Sequence, residues 1–392
     1  MTTATTPPTD QAATGRAFTK RLRWAGEVQF LALFAAIVGY CGTGLHQRVS
    51  VFAQAITRSF SLQVALCWFA LWAVCTATVF PVASYSFFLQ RRFGLFTGGP
   101  RVWLRDYLKT NGLALIFGGA LVEIAFCSGV LLPSYGWLSA ALLYTILFLW
   151  ITRSLPWILS LFYPVIPLGD TTLREAITRL AAKAGVRTGT IYEWRISERT
   201  RQANALVTGV GAARRILLTD TLISRLTPEE VEAIVAHELG HCALHHIAKK
   251  ILLQGVIFCV ILGGINFAVH RGLVWSADEN LGWADLKLVP GFFLYWTCGR
   301  LYGNFILAAL SRRHEREADL YSWKLTGRAE FFITGLRKLT DANLIVFDKG
   351  SEWKFAHPAT AERLAAAEQF ARANGELAAA TQTPAAVGSE NN

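Results

Sequence analysis

Two histidines four residues apart, with a glutamate between them, stand in the stretch "LTPEEVEAIVAHELGHCALHHIAKKILLQGVIFCVILGG" at residues 226–264. On a helix His237 and His241 lie one turn apart and project from the same face, so both imidazoles can converge on one ion. Glu238 lies beside them, positioned to take a proton from a water at that ion. Two histidines and one carboxylate, with a fourth position open, make up a catalytic zinc site rather than a structural one. The chemistry these residues suggest is metal-assisted hydrolysis with one Zn2+ per chain. The competing reading is a surface helix with incidental histidines, so the case turns on a third ligand.

A metzincin arrangement would need Gly at position 244 and His at 247, where the chain has Leu244 and Ile247. His245 and His246 follow, but a continuous helix cannot easily wrap a further side chain onto the same ion, so they read as an interfacial pair or as partners of a ligand. Cys242 points about 100° away from His241 on a helix and is set aside. The chain's seven cysteines are irregularly spaced, six of them in apolar runs, with neither CxxC nor a disulfide framework. A carboxylate from elsewhere remains, and "SRRHEREADLYSW" offers Glu315, Glu317 and Asp319.

The elements that must position these groups are membrane helices. The composition is 53% hydrophobic and 17% charged over 392 residues, which indicates a polytopic membrane protein. Six runs are long enough for roughly 30 Å of hydrocarbon: Val28–Leu45, Leu62–Val82, Leu113–Leu132, Trp137–Leu161, Ile251–Val269 and Val289–Leu310. The first is read as a span, since no small-residue cleavage site follows it. The net charge of +11 is placed like a topology signal and does not suggest nucleic acid. Arg16, Lys20, Arg21 and Arg23 precede the first span, and Arg91, Arg92, Arg101, Arg105 and Lys109 crowd the second loop, whereas "PSYG" has none and the loop around Asp278, Glu279 and Asp285 has few. Positive-inside bias puts both termini and the large polar segment in the cytoplasm. The expected partners are the lipid bilayer and a peptide or membrane-protein substrate.

The expected organisation is a disordered basic tail at 1–27, four spans within 28–161, a first catalytic segment at 162–250, a transmembrane hairpin at 251–310, a second catalytic segment at 311–374 and a disordered tail at 375–392. In the first catalytic segment "TTLREAITRLAAKAGV" reads as an amphipathic helix with Thr172 and Glu175 at capping-box spacing and Gly185 as its stop. "NALVTGVGAARRILLTD" reads as two short strands around a Gly-rich turn. Thr227, Pro228 and Glu230 start the helix that carries His237. That helix leads towards the span starting at Ile251, about 15 Å on, and the returning span ends near Leu310, one turn before Glu315. The hairpin thus brings both helices back to one membrane face, where zinc bound by His237, His241 and Glu315 would clamp them. Within the spans, Glu123 and Arg300 fall near mid-membrane and need either each other as an ion pair or a water-filled chamber.

"VAHELGH" and "SRRHEREAD", with "RQANALVTG", "RRILLTDTLISRLTPEE", "AHPATAERL", "RRFGLFTGG" and "FYPVIPL", resemble the integral-membrane zinc metalloendopeptidases that include the type I CAAX prenyl protease and HtpX-like proteases. The resemblance covers roughly residues 80–370. It implies a polytopic α-helical membrane protein of about six transmembrane helices with an inserted cytoplasmic α+β zincin-like (gluzincin) catalytic domain. It also implies Glu315 as third zinc ligand, Asp319 as the carboxylate orienting a ligand histidine, His357 as oxyanion stabiliser, Arg363 close to the site, and Asn204 and Ala205 holding an extended substrate along a strand edge. Glu317 has no role in the family pattern and reads as a solvated helix residue, and His357 taken alone reads as a cap ahead of Pro358. The eukaryotic prenyl protease has one span more, and no endoplasmic-reticulum retention signal stands at the carboxyl end. The expected setting is therefore a bacterial plasma membrane and the expected task membrane-protein quality control or peptide processing. A membrane chaperone or scaffold with a structural zinc site is the alternative, against which stands Glu238, a base that a structural site does not need.

Overall fold

The structure, a computed structural model, describes residues 8–209, 214–271, 282–344 and 358–375. Helix α1 (Pro8–Gly42) is followed by the short α2 (Leu45–Ile56), then α3 (Phe60–Arg92), α4 (Pro100–Leu131) and α5 (Gly136–Ser160). Among the described residues, five helical segments are long and apolar enough to cross a membrane: Ala13–Gly42, Phe60–Arg92, Pro100–Leu131, Gly136–Ser160 and His246–His270. The sixth expected span, Val289–Leu310, lies in α10 (Leu288–Thr326), which is not among them because Arg300, Asn304 and three glycines dilute its apolar residues. Its glycines have a packing use instead. A Cβ on Gly299 would come within 2.7 Å of Ile261, and one on Gly303 within 3.0 Å of Ile257, so the small-xxx-small spacing lets α10 lie close along α9 (His246–His270). Trp68, Phe126 and Tyr144 of the amino-terminal helices join Phe258, Ile261 and Trp296 of this pair in one buried apolar cluster.

Two expectations about this region change. The amino-terminal stretch is helical from Pro8 onwards rather than a tail to residue 27, because Phe18 is buried against Leu89, Leu95 and Phe93 at the end of α3 and Arg21 lies over the Phe93 ring. Residues 1–7 and 376–392 lie outside the described residues. Glu123 and Arg300 do not meet: Glu123 accepts from Cys127 Sγ at 3.4 Å, one turn on in its own helix, and Arg300 is exposed on α10.

After α5 the chain builds a small α+β layer. A four-stranded sheet has the order β1-β2-β4-β3, with β1 Val165–Pro167, β2 Ile191–Trp194, β3 Ala205–Thr208 and β4 Arg215–Thr219. β2 and β4 run parallel, and the outer pairs are antiparallel. β3 is therefore an edge strand. Helix α6 (Thr171–Lys183) covers the sheet with Leu173, Ile177 and Leu180 buried, and it is capped by Asp170, which accepts from Leu173 N, rather than by Thr172. Asp170 thus starts the helix two residues earlier and satisfies the orphan amide of Leu173 instead of that of Glu175. Gly185, at φ +66°, ends the helix where any other residue would be strained. The short α7 (Asp220–Ile223) leads into α8 (Pro228–Ala243), and α11 (Ala329–Asn343) and α12 (Thr360–Ala373) close the layer. Ile216, Leu218, Val235, Leu239 and Phe332 share its core.

Candidate active site

Helix α8 starts on a complete capping box. Thr227 accepts from Glu230 N at 3.3 Å and Glu230 Oε2 accepts from Thr227 N at 2.8 Å. Pro228 occupies the first helical position, where its missing N–H costs nothing. Glu230 also takes Lys338 Nζ of α11 at 2.7 Å. Almost every face of α8 is buried, so its position depends on the helices around it, above all α10. Gly240 sets that approach: a Cβ there would lie 3.2 Å from both Cα and O of Ala318 and 3.2 Å from Tyr321. Ser322 donates to Ala233 O at 2.8 Å and fixes the register. Gly240→Val is expected to push α8 and α10 apart, costing about 1–3 kcal/mol as an overpacked contact and loosening metal retention, which denaturation and metal analysis of the detergent-solubilised protein will show.

This packing brings His237, His241 and Glu315 together. His237 Nε2 and His241 Nε2 are 3.2 Å apart. Glu315 presents one oxygen to each ring, Oε2 at 3.4 Å from His237 Nε2 and Oε1 at 3.3 Å from His241 Nε2. Ligand atoms on a tetrahedron with bonds of about 2.0–2.1 Å are separated by about 3.3 Å; the His–His distance and each ring's distance to one Glu315 oxygen match that spacing, and one atom from each of the three residues lies within 4.8 Å of the others. Two neutral nitrogens and a carboxylate also form a donor set suited to zinc and to several other divalent ions. The residues fit a resident metal.

The groups behind the triangle are in place as well. Asp319, one turn after Glu315 on α10, lies with Oδ1 2.8 Å from His237 Nδ1. Arg363 of α12 grips Asp319 with two hydrogen bonds of 2.8 and 2.6 Å and reaches Glu315 Oε2 at 3.7 Å. Burial would lower the His237 pKa, but the hydrogen bonds to Asp319 and Glu315 outweigh it and raise it to about 9. Burial likewise pushes the Asp319 carboxyl upward, and Arg363 and His237 overcome it, holding the group below the usual range. A metal binding there displaces a proton from His237. Cys242 is buried, and burial pushes its thiol up to about 11, consistent with a packing role.

A cleft of about 350 Å³ opens over the triangle, and Glu238, Asn204, Ala205 and Arg363 line it together with His237 and Glu315. Glu238 is half-buried and faces this space. Asn204 and Ala205 play different parts at the strand edge. The Asn204 backbone is taken up by Thr219, which donates its N–H to Asn204 O at 3.0 Å and accepts the Asn204 N–H on Oγ1 at 2.9 Å. By strand alternation Ala205 then turns its N–H and C=O away from β4, towards the cleft side. Asn343 of α11 holds the previous outward-facing groups, those of Ala203, at 2.8 and 3.0 Å. His357 lies outside the described residues; its neighbour Pro358 lines the cleft.

His246 was open to reading as a partner of a ligand, but its link to Glu317 was not. Helix α8 ends at Ala243, and α9 begins afresh at His246, so the helix is not continuous into the span. His246 is buried, with Nδ1 3.0 Å from His241 Nδ1 and Nε2 3.0 Å from Glu317 Oε2. Glu317, expected to be solvated, also accepts from Arg313 Nε at 2.8 Å. Arg313 and His246 hold the Glu317 carboxyl below its ordinary range. The signal available was the His-His pair itself, which only a helix break could turn to account.

The profile of peptidase family M48 matches residues 167–371, the stretch that contains every group of the cleft. CAAX prenyl protease 1 of Saccharomyces cerevisiae is 26% identical over 324 residues, covering 77% of this chain and 71% of that one. The uncharacterized metalloprotease YhfN of Bacillus subtilis is 26% identical over 340 residues, covering 83% and 78%. Among solved structures, Ste24p of S. mikatae superposes with a TM-score of 0.77 over 92% of this chain and 91% of that one, at 23% identity, a likeness of fold. With the family profile covering more than half of its residues and five helices able to cross a membrane, the chain belongs to peptidase family M48 and is a multi-pass membrane metalloprotease.

Proposed function

We propose that this chain is a zinc endopeptidase with one Zn2+ held by His237, His241 and Glu315, hydrolysing peptide bonds at the cytoplasmic face of a bacterial plasma membrane. The observation that carries the reading is the convergence of His237, His241 and Glu315, with the two Nε2 atoms 3.2 Å apart and each within 3.3–3.4 Å of one Glu315 oxygen, opening into a cleft that Glu238 also lines. When bound, zinc supplies Lewis-acid polarisation of the scissile carbonyl and lowers the pKa of water in the cleft. Glu238 is the base that takes the proton from the attacking water and delivers it to the leaving amine. Asp319 orients His237, and Arg363 holds Asp319 and balances the charge of Glu315. His357 is assigned the oxyanion, as the resemblance implies.

The substrate lies along β3 as an added strand, with the outward N–H and C=O of Ala205 as its backbone partners. Removing one such hydrogen bond weakens binding about 2- to 10-fold. Ala205→Pro, which deletes the N–H at an edge where proline is tolerated, is therefore expected to raise KM by that factor with zinc content unchanged. An unaltered KM would remove this docking mode. The whole reading is tested on detergent-solubilised protein by metal analysis and by cleavage of an unfolded membrane protein. Zinc at one equivalent, with cleavage lost to a chelator and restored by zinc, is expected, and a metal-free, folded protein would overturn it.

Membrane-protein quality control or peptide processing is the setting this chemistry suits. A second reading, a lipid-modified peptide like the one named in CAAX prenyl protease 1, is favoured by one observation. An apolar cavity of about 1100 Å³ runs from His241 between α5 and α9, lined by Leu138, Leu142, Leu252 and Val256 among others.

A further inference from the structure

His246 takes no part in the donor triangle, yet it is only 1% exposed. It stands five residues past His241, and on an unbroken helix, at about 100° per residue, it would point about 140° away from that ring. The break between α8 and α9 removes this offset. His245 adopts the left-handed conformation, φ 57° and ψ 30°, which costs a non-glycine residue about 1–2 kcal/mol. Helix α9 then restarts with His246 turned back towards the site. Strain held at such a place is a mark of use.

Hydrogen-bond roles follow from the two rings. His241 directs Nε2 into the triangle, so when it binds an ion there its proton resides on Nδ1. That N–H lies 3.0 Å from His246 Nδ1, which must therefore accept. A neutral His246 then carries its own proton on Nε2, 3.0 Å from Glu317 Oε2, and donates it to the carboxylate. Arg313 Nε anchors Glu317 at 2.8 Å, and His314 stacks on His246 with centroids 3.9 Å apart and planes 5° from parallel, which fixes the ring. Each face of the triangle's histidine pair is thus backed by a carboxylate: His237 directly by Asp319, and His241 through His246 by Glu317.

We infer that His246 is a positioning residue which, relaying to Glu317, fixes the tautomer and orientation of His241 as a metal ligand. The inference rests on the zinc-peptidase reading above. His246, His314 and Glu317 are also close enough together to bind an ion themselves. An ion on His246 Nε2 would, however, shift that ring's proton to Nδ1, facing the N–H of His241. The two arrangements exclude each other while His241 binds through Nε2.

The test is zinc affinity, measured by chelator competition on the full-length solubilised protein, for wild type, His246→Leu, His246→Gln and His246→Asn. Asn carries its Oδ1 where the imidazole carries Nδ1, so it restores the acceptor for His241. Gln extends its amide to the Glu317 side and leaves that acceptor missing, and Leu fills the volume alone. Loss of a hydrogen-bond partner behind a metal-ligating histidine costs about 10- to 100-fold in metal affinity, which is the expected loss for Leu and Gln, with Asn recovering most of it. Thermal denaturation of the metal-free forms checks that all four are folded. Equal affinity in all four, or Asn no better than Leu, overturns the inference and leaves the zinc site standing. A second equivalent of zinc in wild type that vanishes in His246→Leu also overturns it, making the cluster a metal site. No zinc in folded wild type removes the zinc reading and the inference with it.

Discussion

Glu238→Gln is expected to retain zinc at the wild-type level and to lose peptide hydrolysis by about 10²- to 10⁴-fold, the range over which a positioned acid–base group contributes. The half-buried Glu238 lines the cleft beside the triangle, yet it belongs to neither the triangle nor the hydrogen bonds that support His237 and His241. The substitution keeps the shape and removes only the group that accepts a proton. Metal content and the rate of cleavage of an unfolded membrane-protein substrate are measured side by side. Loss of both zinc and activity would mean that Glu238 acts through the metal site's integrity, and retention of both would dismiss it as the base.

Arg363→Met is expected to be the most destabilising substitution at the site. The arginine side chain is 11% exposed and Asp319 is 2% exposed, so the pair is a buried bidentate contact, with Glu315 Oε2 3.7 Å from the same guanidinium. Removing one member of a buried ion pair leaves an uncompensated charge and costs about 3–5 kcal/mol. Denaturation of the zinc-free protein reads this most directly, because a bound cation would itself offset the charge of Glu315. The double variant Asp319→Asn/Arg363→Met removes the stranded charge on Asp319 and is expected to recover much of the stability without recovering zinc affinity, since His237 still lacks its carboxylate partner. Full recovery of both would show that Asp319 does not orient His237, and a single-variant loss below about 1 kcal/mol, the scale of an exposed pair, would show that Arg363 is solvated in use.

What the sequence determined by itself is what depends on local periodicity. Helical spacing put His237 and His241 on one face with Glu238 beside them, and the family resemblance singled out Glu315 and Asp319 among the carboxylates of the second helix. Apolar run length located five of the membrane helices, and the Thr227–Glu230 capping box marked where α8 begins. Apart from that resemblance, these features are legible because they follow from the repeat of a single helix, whatever it packs against.

Other features were decided only by packing. Phe18, buried against the end of α3, draws the basic amino-terminal stretch into a helix that its composition did not announce. Glu123 meets Cys127 of its own helix and Ser61 of α3, and so the mid-membrane partner that charge matching suggested for it is not needed. Strand order made β3 an edge, and its register separated Ala205, which faces outward, from Asn204, which is tied to Thr219. The largest gap was the link from His246, open to reading as a partner of a ligand, to Glu317, which read as solvated. Their meeting requires a histidine in a left-handed conformation, a helix that stops and restarts, and a second helix held close by Gly240 against Ala318. Periodicity carries no information about such a break, because its strain is tolerated only where contacts between distant parts of the chain over-determine it.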